Sequence, residues 1–118
     1  NGVDPIAMLN AGHRDPVALT RLQHALERIA TIGPQRIADH VSAVCAYAID
    51  RFDAAGITVL QGRRPEHRAG ILLLQGEEAQ VKRLEQQGVK VAFRGNGIRV
   101  GIHFYNSTAD IDRLVETW

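Results

Sequence analysis

Two alternating runs joined by Gly95-Asn96-Gly97 decide how this chain folds near its C-terminus. Before the turn, Val89, Val91 and Phe93 alternate with Lys90, Ala92 and Arg94; after it, Ile98, Val100, Ile102 and Phe104 alternate with Arg99, Gly101, His103 and Tyr105. Side chains on a strand face opposite sides in turn. A Gly-Asn-Gly step between two such runs is a tight-turn signal, so the stretch reads as a β-hairpin. One face of its second strand is then core. The other carries Arg99, Gly101, His103 and Tyr105 and is either solvated surface or one wall of a site.

Upstream the period changes. From Val17 to about Ile32, Leu22, Leu26 and Ile29 recur at helical spacing, with Ala18 and Ala25 beside them. Gly33-Pro34 punctuates. A second helix is expected from about Pro34 to Ala55, with Ile37, Val41, Val44, Ala48 and Phe52 on its apolar stripe and Arg36, Asp39, His40, Asp50 and Arg51 elsewhere. Such a helix is about 30 Å long, and it reads as a spine that also touches another domain. Residues 57–60 and 70–75 predict two short strands. Glu77 to about Gln87 predicts a helix with Ala79, Val81 and Leu84 inward, and Ser107-x-x-Asp110 resembles a capping box opening a last helix with Ile111, Leu114 and Val115. Residues 1–16 are dense in turn signals and read as irregular.

The expected fold class is α+β: two N-terminal helices, the second long, then a small, mostly antiparallel β-sheet with helices packed on one face, in the order β-β-α-β-β-α. The expected division is residues 1–33, an irregular segment and a helix, and residues 34–118, a small α+β domain.

With 118 residues, this is one domain's worth of chain. A formal net charge of +1 gives no electrostatic case for nucleic acid or an anionic membrane. No apolar run approaches the roughly 20 residues of a spanning helix. The single cysteine, Cys45, rules out an internal disulfide framework and fits a reducing, cytoplasmic setting. The opening NGVDP has neither initiator methionine nor signal-like apolar run, and reads as a piece of something longer.

Metal and nucleophile chemistry find little support. The five histidines are scattered, and none stands at zinc-site spacing from a second histidine or cysteine. Cys45 falls beside an apolar helical stripe and reads as a buried structural thiol. Ser42 and Ser107 lack any nucleophile context. The glycines at 95–101 lead into a strand rather than a helix N-terminus, so they make no phosphate loop. Arg99 remains. A guanidinium binds a carboxylate through two parallel hydrogen bonds; in mid-strand its backbone is held by the ladder, and Gly101 on the same face leaves room beside it. The bland alternative is an arginine on a solvated sheet face. Arg94 either supports the same cleft or closes the hairpin, and His103 reads as a structural polar residue.

The stretch GVKVAFRGNGIRVGIHFYNSTADIDRLVETW (88–118) resembles the C-terminal end of class V aminotransferases, the pyridoxal-phosphate enzymes that include cysteine desulfurases, selenocysteine lyases and isopenicillin N epimerases. The match falls on Arg94, Ile98, Arg99, Val100, His103, Tyr105, Asn106, Asp110, Ile111, Asp112 and Leu114. Upstream, the helix ending near Ile32-Gly33, the long helix and the strands opening with Gly-Ile are similar to the family too, which extends the resemblance over about residues 17–118.

The resemblance implies a small C-terminal domain whose Arg99 binds the substrate's α-carboxylate, with Arg94, His103 and Asn106 as supporting residues. It implies that pyridoxal 5′-phosphate is held by a large domain absent from this chain, so that no catalytic, cofactor-binding or metal residue is expected within it and the isolated chain is inactive. An amino acid is the implied substrate, in transamination, epimerisation or lyase chemistry, and the implied full-length enzyme is a homodimer. Without the large domain, the first helix is left with an apolar surface able to drive self-association. Three departures qualify this. Gly101 stands where serine is usual and Ile102 where proline is common. The segment 88–97 is short and lacks the cysteine that desulfurases carry before this arginine, which disfavours a desulfurase. Lys82 and Lys90, the only lysines, do not read as Schiff-base lysines. The competing reading is a stand-alone regulatory or ligand-binding α+β module that dimerises through its helices, with Arg99 on an exposed sheet.

Overall fold

The computed structural model describes residues 16–67 and 69–118; most of the segment expected to be irregular, and His13 with it, lies outside the described residues. The chain divides into two compact units at Pro34. The first contains helix α1 (Pro16–Ile32). Its apolar stripe forms as the spacing predicts, yet α1 contributes no buried residue: Leu22 is 55% and Leu26 56% exposed.

The second unit holds everything else. Helix α2 spans Pro34–Ala54, followed by strand β1 (Val59–Gln61), a single 3₁₀ turn (Pro65–His67), β2 (Ile71–Leu74), helix α3 (Glu78–Gln86), β3 (Ala92–Arg94), β4 (Gly97–Gly101) and helix α4 (Thr108–Thr117). This is the expected α+β class and the expected β-β-α-β-β-α order. The sheet is antiparallel throughout, in the order β1-β2-β4-β3. Since β2 and β3 both run against β4, they are parallel to each other, and α3 carries the chain across between them. Strand β4 is thereby inserted at the centre, with ladder hydrogen bonds on both sides.

Alternation decides which face is covered. Leu72 and Leu74 on β2 lie opposite Val100 and Ile98 on β4, and all four are buried. Against that face pack Val44, Cys45, Ala48, Ile49 and Phe52 from α2, Leu84 from α3, and Ile111 and Leu114 from α4. Helix α2 buries residues in its C-terminal half only; Ile37 and Val41, higher on the same stripe, are half-buried, and Val41 packs against the edge of the core. Cys45 is fully buried, as a structural thiol should be. Ala79, expected inward, is exposed because α3 covers the sheet through Leu84 alone among its buried residues. Glu77 stands before α3 as its cap, with its N–H donating to Gln80 Oε1 at 2.7 Å.

Two glycines make the hairpin. Gly95 has φ +61° while Asn96 does not enter the left-handed region, the pattern of a type II′ turn. At Gly97 a Cβ would run into the carbonyl oxygen of Leu74, so only glycine lets β2 and β4 close at that end. Among the described residues, no helix is long and apolar enough to cross a membrane.

Candidate functional site

Arg99 occupies the middle of the central strand, paired with Leu73 on β2 and Ala92 on β3. Its backbone is therefore fixed from both sides. Its side chain rises on the face opposite the buried quartet, where Arg99 itself is exposed and Leu73 and Ala92 are half-buried. Among the described residues no carboxylate forms a salt bridge with it.

The strand expected through Phe104 ends at Gly101, with only Ile102 continuing the buried alternation beyond it, and the reason is Asn106. Its Oδ1 accepts the His103 N–H at 2.8 Å, and its own N–H donates to the His103 carbonyl at 3.0 Å. A side chain that bonds backbone a few residues away competes with the ladder and turns the chain out of the sheet. Ile102 stays buried, donating its N–H to Gly70 O at 2.7 Å. Phe104, expected in the core, is 37% exposed, and Tyr105 no longer belongs to a strand face. The turn instead folds aromatic rings together: His103 stacks on Tyr105 at a centroid distance of 5.2 Å, and Phe104 meets Tyr105 edge-on at 5.4 Å. From α2, His40 Nε2 donates to the Asn106 carbonyl at 2.6 Å and ties the turn to the long helix.

Arg99, His103 and Asn106 line one cleft of about 570 Å³, between the segment entering β3, the end of β4, this turn and the start of α4. Arg94 does not line it; it sits at the hairpin end, opposite Gly97, with Nη1 3.4 Å from the Phe93 carbonyl. Lys90 and Arg113 add two positive charges to the lining, and Asp110 one negative. The Asp110 carboxylate is engaged: Oδ2 accepts the Ser107 N–H at 2.9 Å, the acidic arm of the expected capping box, and lies 3.4 Å from Asn106 Nδ2. One Arg113 nitrogen donates to the Gln87 carbonyl at 2.7 Å. The lining thus favours anions.

Away from the cleft, Tyr47 and Arg51 on α2 both donate to Asp112 Oδ1 on α4, at 2.6 and 2.9 Å. The Tyr47 hydrogen bond, helped by Arg51, holds the Asp112 carboxyl below its usual range, and the same bond raises the Tyr47 hydroxyl. Arg63 grips Asp53 through two bonds of 3.0 and 2.6 Å and lowers that carboxyl likewise.

No group of three or more His, Cys, Asp or Glu among the described residues could hold a metal. Nor do these residues make a cradle for pyridoxal phosphate. That cofactor needs a lysine amine shielded for imine formation and backbone N–H groups free for its phosphate. Lys82 and Lys90 are both exposed, and the Asp110 carboxylate stands at the N-terminus of α4, beside the cleft, where a phosphate would have to sit.

Nothing in the sequence singles out His40, Lys90 or Arg113 for the site. His40 reaches a backbone carbonyl 66 residues away, and no local pattern encodes such a contact. Lys90 and Arg113 could have been placed only by knowing how the segment before β3 packs beside α4.

No family model matches the chain, and no curated protein matches it. Among solved structures it is similar to the apo structure of a cysteine desulfurase from Thermococcus onnurineus NA1, with a TM-score of 0.68 at 15% sequence identity. The likeness covers 76% of this chain and 27% of the desulfurase chain. The chain thus spans about a quarter of the length of the protein it matches, and at this identity the two share a fold.

Proposed function

We propose that residues 34–118 are the small C-terminal domain of a class V aminotransferase-like, pyridoxal-phosphate-dependent enzyme, and that Arg99 binds the α-carboxylate of its amino-acid substrate. The observation that carries this reading is the position of Arg99: mid-way along a central strand, on the uncovered face, at the wall of a cleft whose charge favours anions. A guanidinium so held orients a bound carboxylate, and with it the substrate's Cα, toward whatever lies across the cleft. The fold shared with a desulfurase supports the superfamily.

The cofactor in this reading belongs to a large domain outside this chain, and the isolated chain is inactive. Transamination, epimerisation or a lyase reaction without a thiol fits better than desulfuration. The segment from Gly88 to Gly97 has no cysteine, and Cys45 is sealed in the core. The enzyme would be a cytoplasmic homodimer.

The test uses the longer protein that contains this segment, purified with pyridoxal phosphate. A visible absorbance band of bound cofactor that amino acids perturb is the expected result. A protein that binds no cofactor would sink the reading and leave the stand-alone binding module.

A further inference from the structure

Gly101 is the residue of β4 that shares the uncovered face with Arg99, two positions on. A Cβ there would stand 3.3 Å from His103 Nε2. The imidazole therefore does not extend away from the sheet; it folds back over the gap that the missing side chain leaves. One contact holds the ring itself and two hold the turn that carries it. Tyr105 stacks on the ring at 5.2 Å, Asn106 Oδ1 fixes the His103 backbone N–H, and His40 anchors the Asn106 carbonyl from α2.

Positions two apart on a strand are separated by roughly 6–7 Å. An arginine side chain is long enough to span that interval, so the Arg99 fork and His103 Nε2 can reach one small anion from two sides. Both residues line the same cleft. The other charged groups facing it are Lys90, Arg113 and Asp110, and Asp110 is spent on the cap of α4.

We infer that His103 is the second donor of a carboxylate clamp, with Gly101 as the residue that admits it, and that the pair recognises the α-carboxylate of an amino acid. This rests on the proposed role of Arg99 and adds a second carboxylate-binding residue to it. Arg99 supplies charge and two parallel bonds. His103 supplies a third bond through Nε2–H, which fixes the rotation of the carboxylate in the plane of the fork. A hydrogen bond to a charged group changes affinity by about tenfold or more.

The experiment titrates the 118-residue chain with L-alanine, followed by proton–nitrogen NMR, for wild type, Arg99→Ala, His103→Phe and His103→Gln. Phe keeps the stack on Tyr105 but has no donor, whereas Gln keeps a donor at similar reach. The expected result is saturable shifts at residues 99–106, about tenfold weaker binding in His103→Phe, and recovery of most of that loss in His103→Gln. Equal affinity in wild type and His103→Phe, with binding still lost in Arg99→Ala, would overturn the role of His103 and leave that of Arg99 standing. Equal loss in the Phe and Gln variants would show that His103 acts through shape, not as a donor, and would overturn it too. Binding unaffected by Arg99→Ala would defeat the proposed role of Arg99 as well. Shifts that never saturate in wild type would reject the clamp in this chain, leaving Arg99 to be judged in the longer protein.

Discussion

Gly97 shows how much one missing side chain can decide. Its would-be Cβ collides with the Leu74 carbonyl, an atom that cannot swing aside, so Gly97→Ala must spread β2 from β4. A cost of about 2 kcal/mol is expected in denaturant unfolding; a variant as stable as wild type would show that the strands separate freely there. Asp112 makes a different argument, through pH. Its carboxyl is held below the usual 3.8 first by the Tyr47 hydroxyl and then by Arg51. A depressed folded-state pKa gives stability that is present above the unfolded value and lost as pH falls through the folded one. Asp112→Asn should therefore be less stable than wild type at pH 7, and the gap should close as pH is lowered below that range. A gap of constant size in urea melts at both extremes would contradict this. Legibility at this scale was uneven. The hairpin glycines and the Ser107–Asp110 cap could be read from sequence because their partners are neighbours. The Tyr47–Asp112 and His40–Asn106 bonds join positions more than sixty residues apart and leave no local trace.

Elements were more legible than their ends. Period gives the four helices and the order of the strands along the chain, because a stripe at 3.6 and an alternation at 2 are set by which face is buried. What period could not give was where β4 stops: Ile102 and Phe104 continue the apolar alternation, but Asn106 takes the backbone bonds that another ladder rung would need. Nor could it show that β4 lies between β2 and β3, the placement that holds Arg99 on both sides. At the end of α2, Phe52 is a large, fully buried side chain of the core cluster. Phe52→Ala should cost about 4 kcal/mol, enough to unfold much of a domain this small. The same truncation at half-buried Val41 should cost far less, and equal losses at the two sites would mean that α2 packs along its whole length.

For the whole molecule, the described α1 is an amphipathic helix with no buried residue, and Leu22, Leu26 and Ile29 are all exposed. An exposed apolar stripe of this kind favours self-association. The isolated chain is expected to self-associate, giving a light-scattering mass above the 13.0 kDa of one copy at high concentration; a strict monomer would count against it. Replacing Leu22 and Leu26 with glutamate should restore the monomer without changing the thermal unfolding of residues 35–118. The central claim is narrower than any of this: Arg99 recognises a carboxylate. In the longer, cofactor-loaded protein that the proposed function requires, the affinity for an amino acid can be compared with that for its carboxamide, in wild type and in Arg99→Ala. The account predicts strong preference for the acid in wild type and a preference reduced at least tenfold in the variant. An undiminished preference for the acid in Arg99→Ala would contradict it.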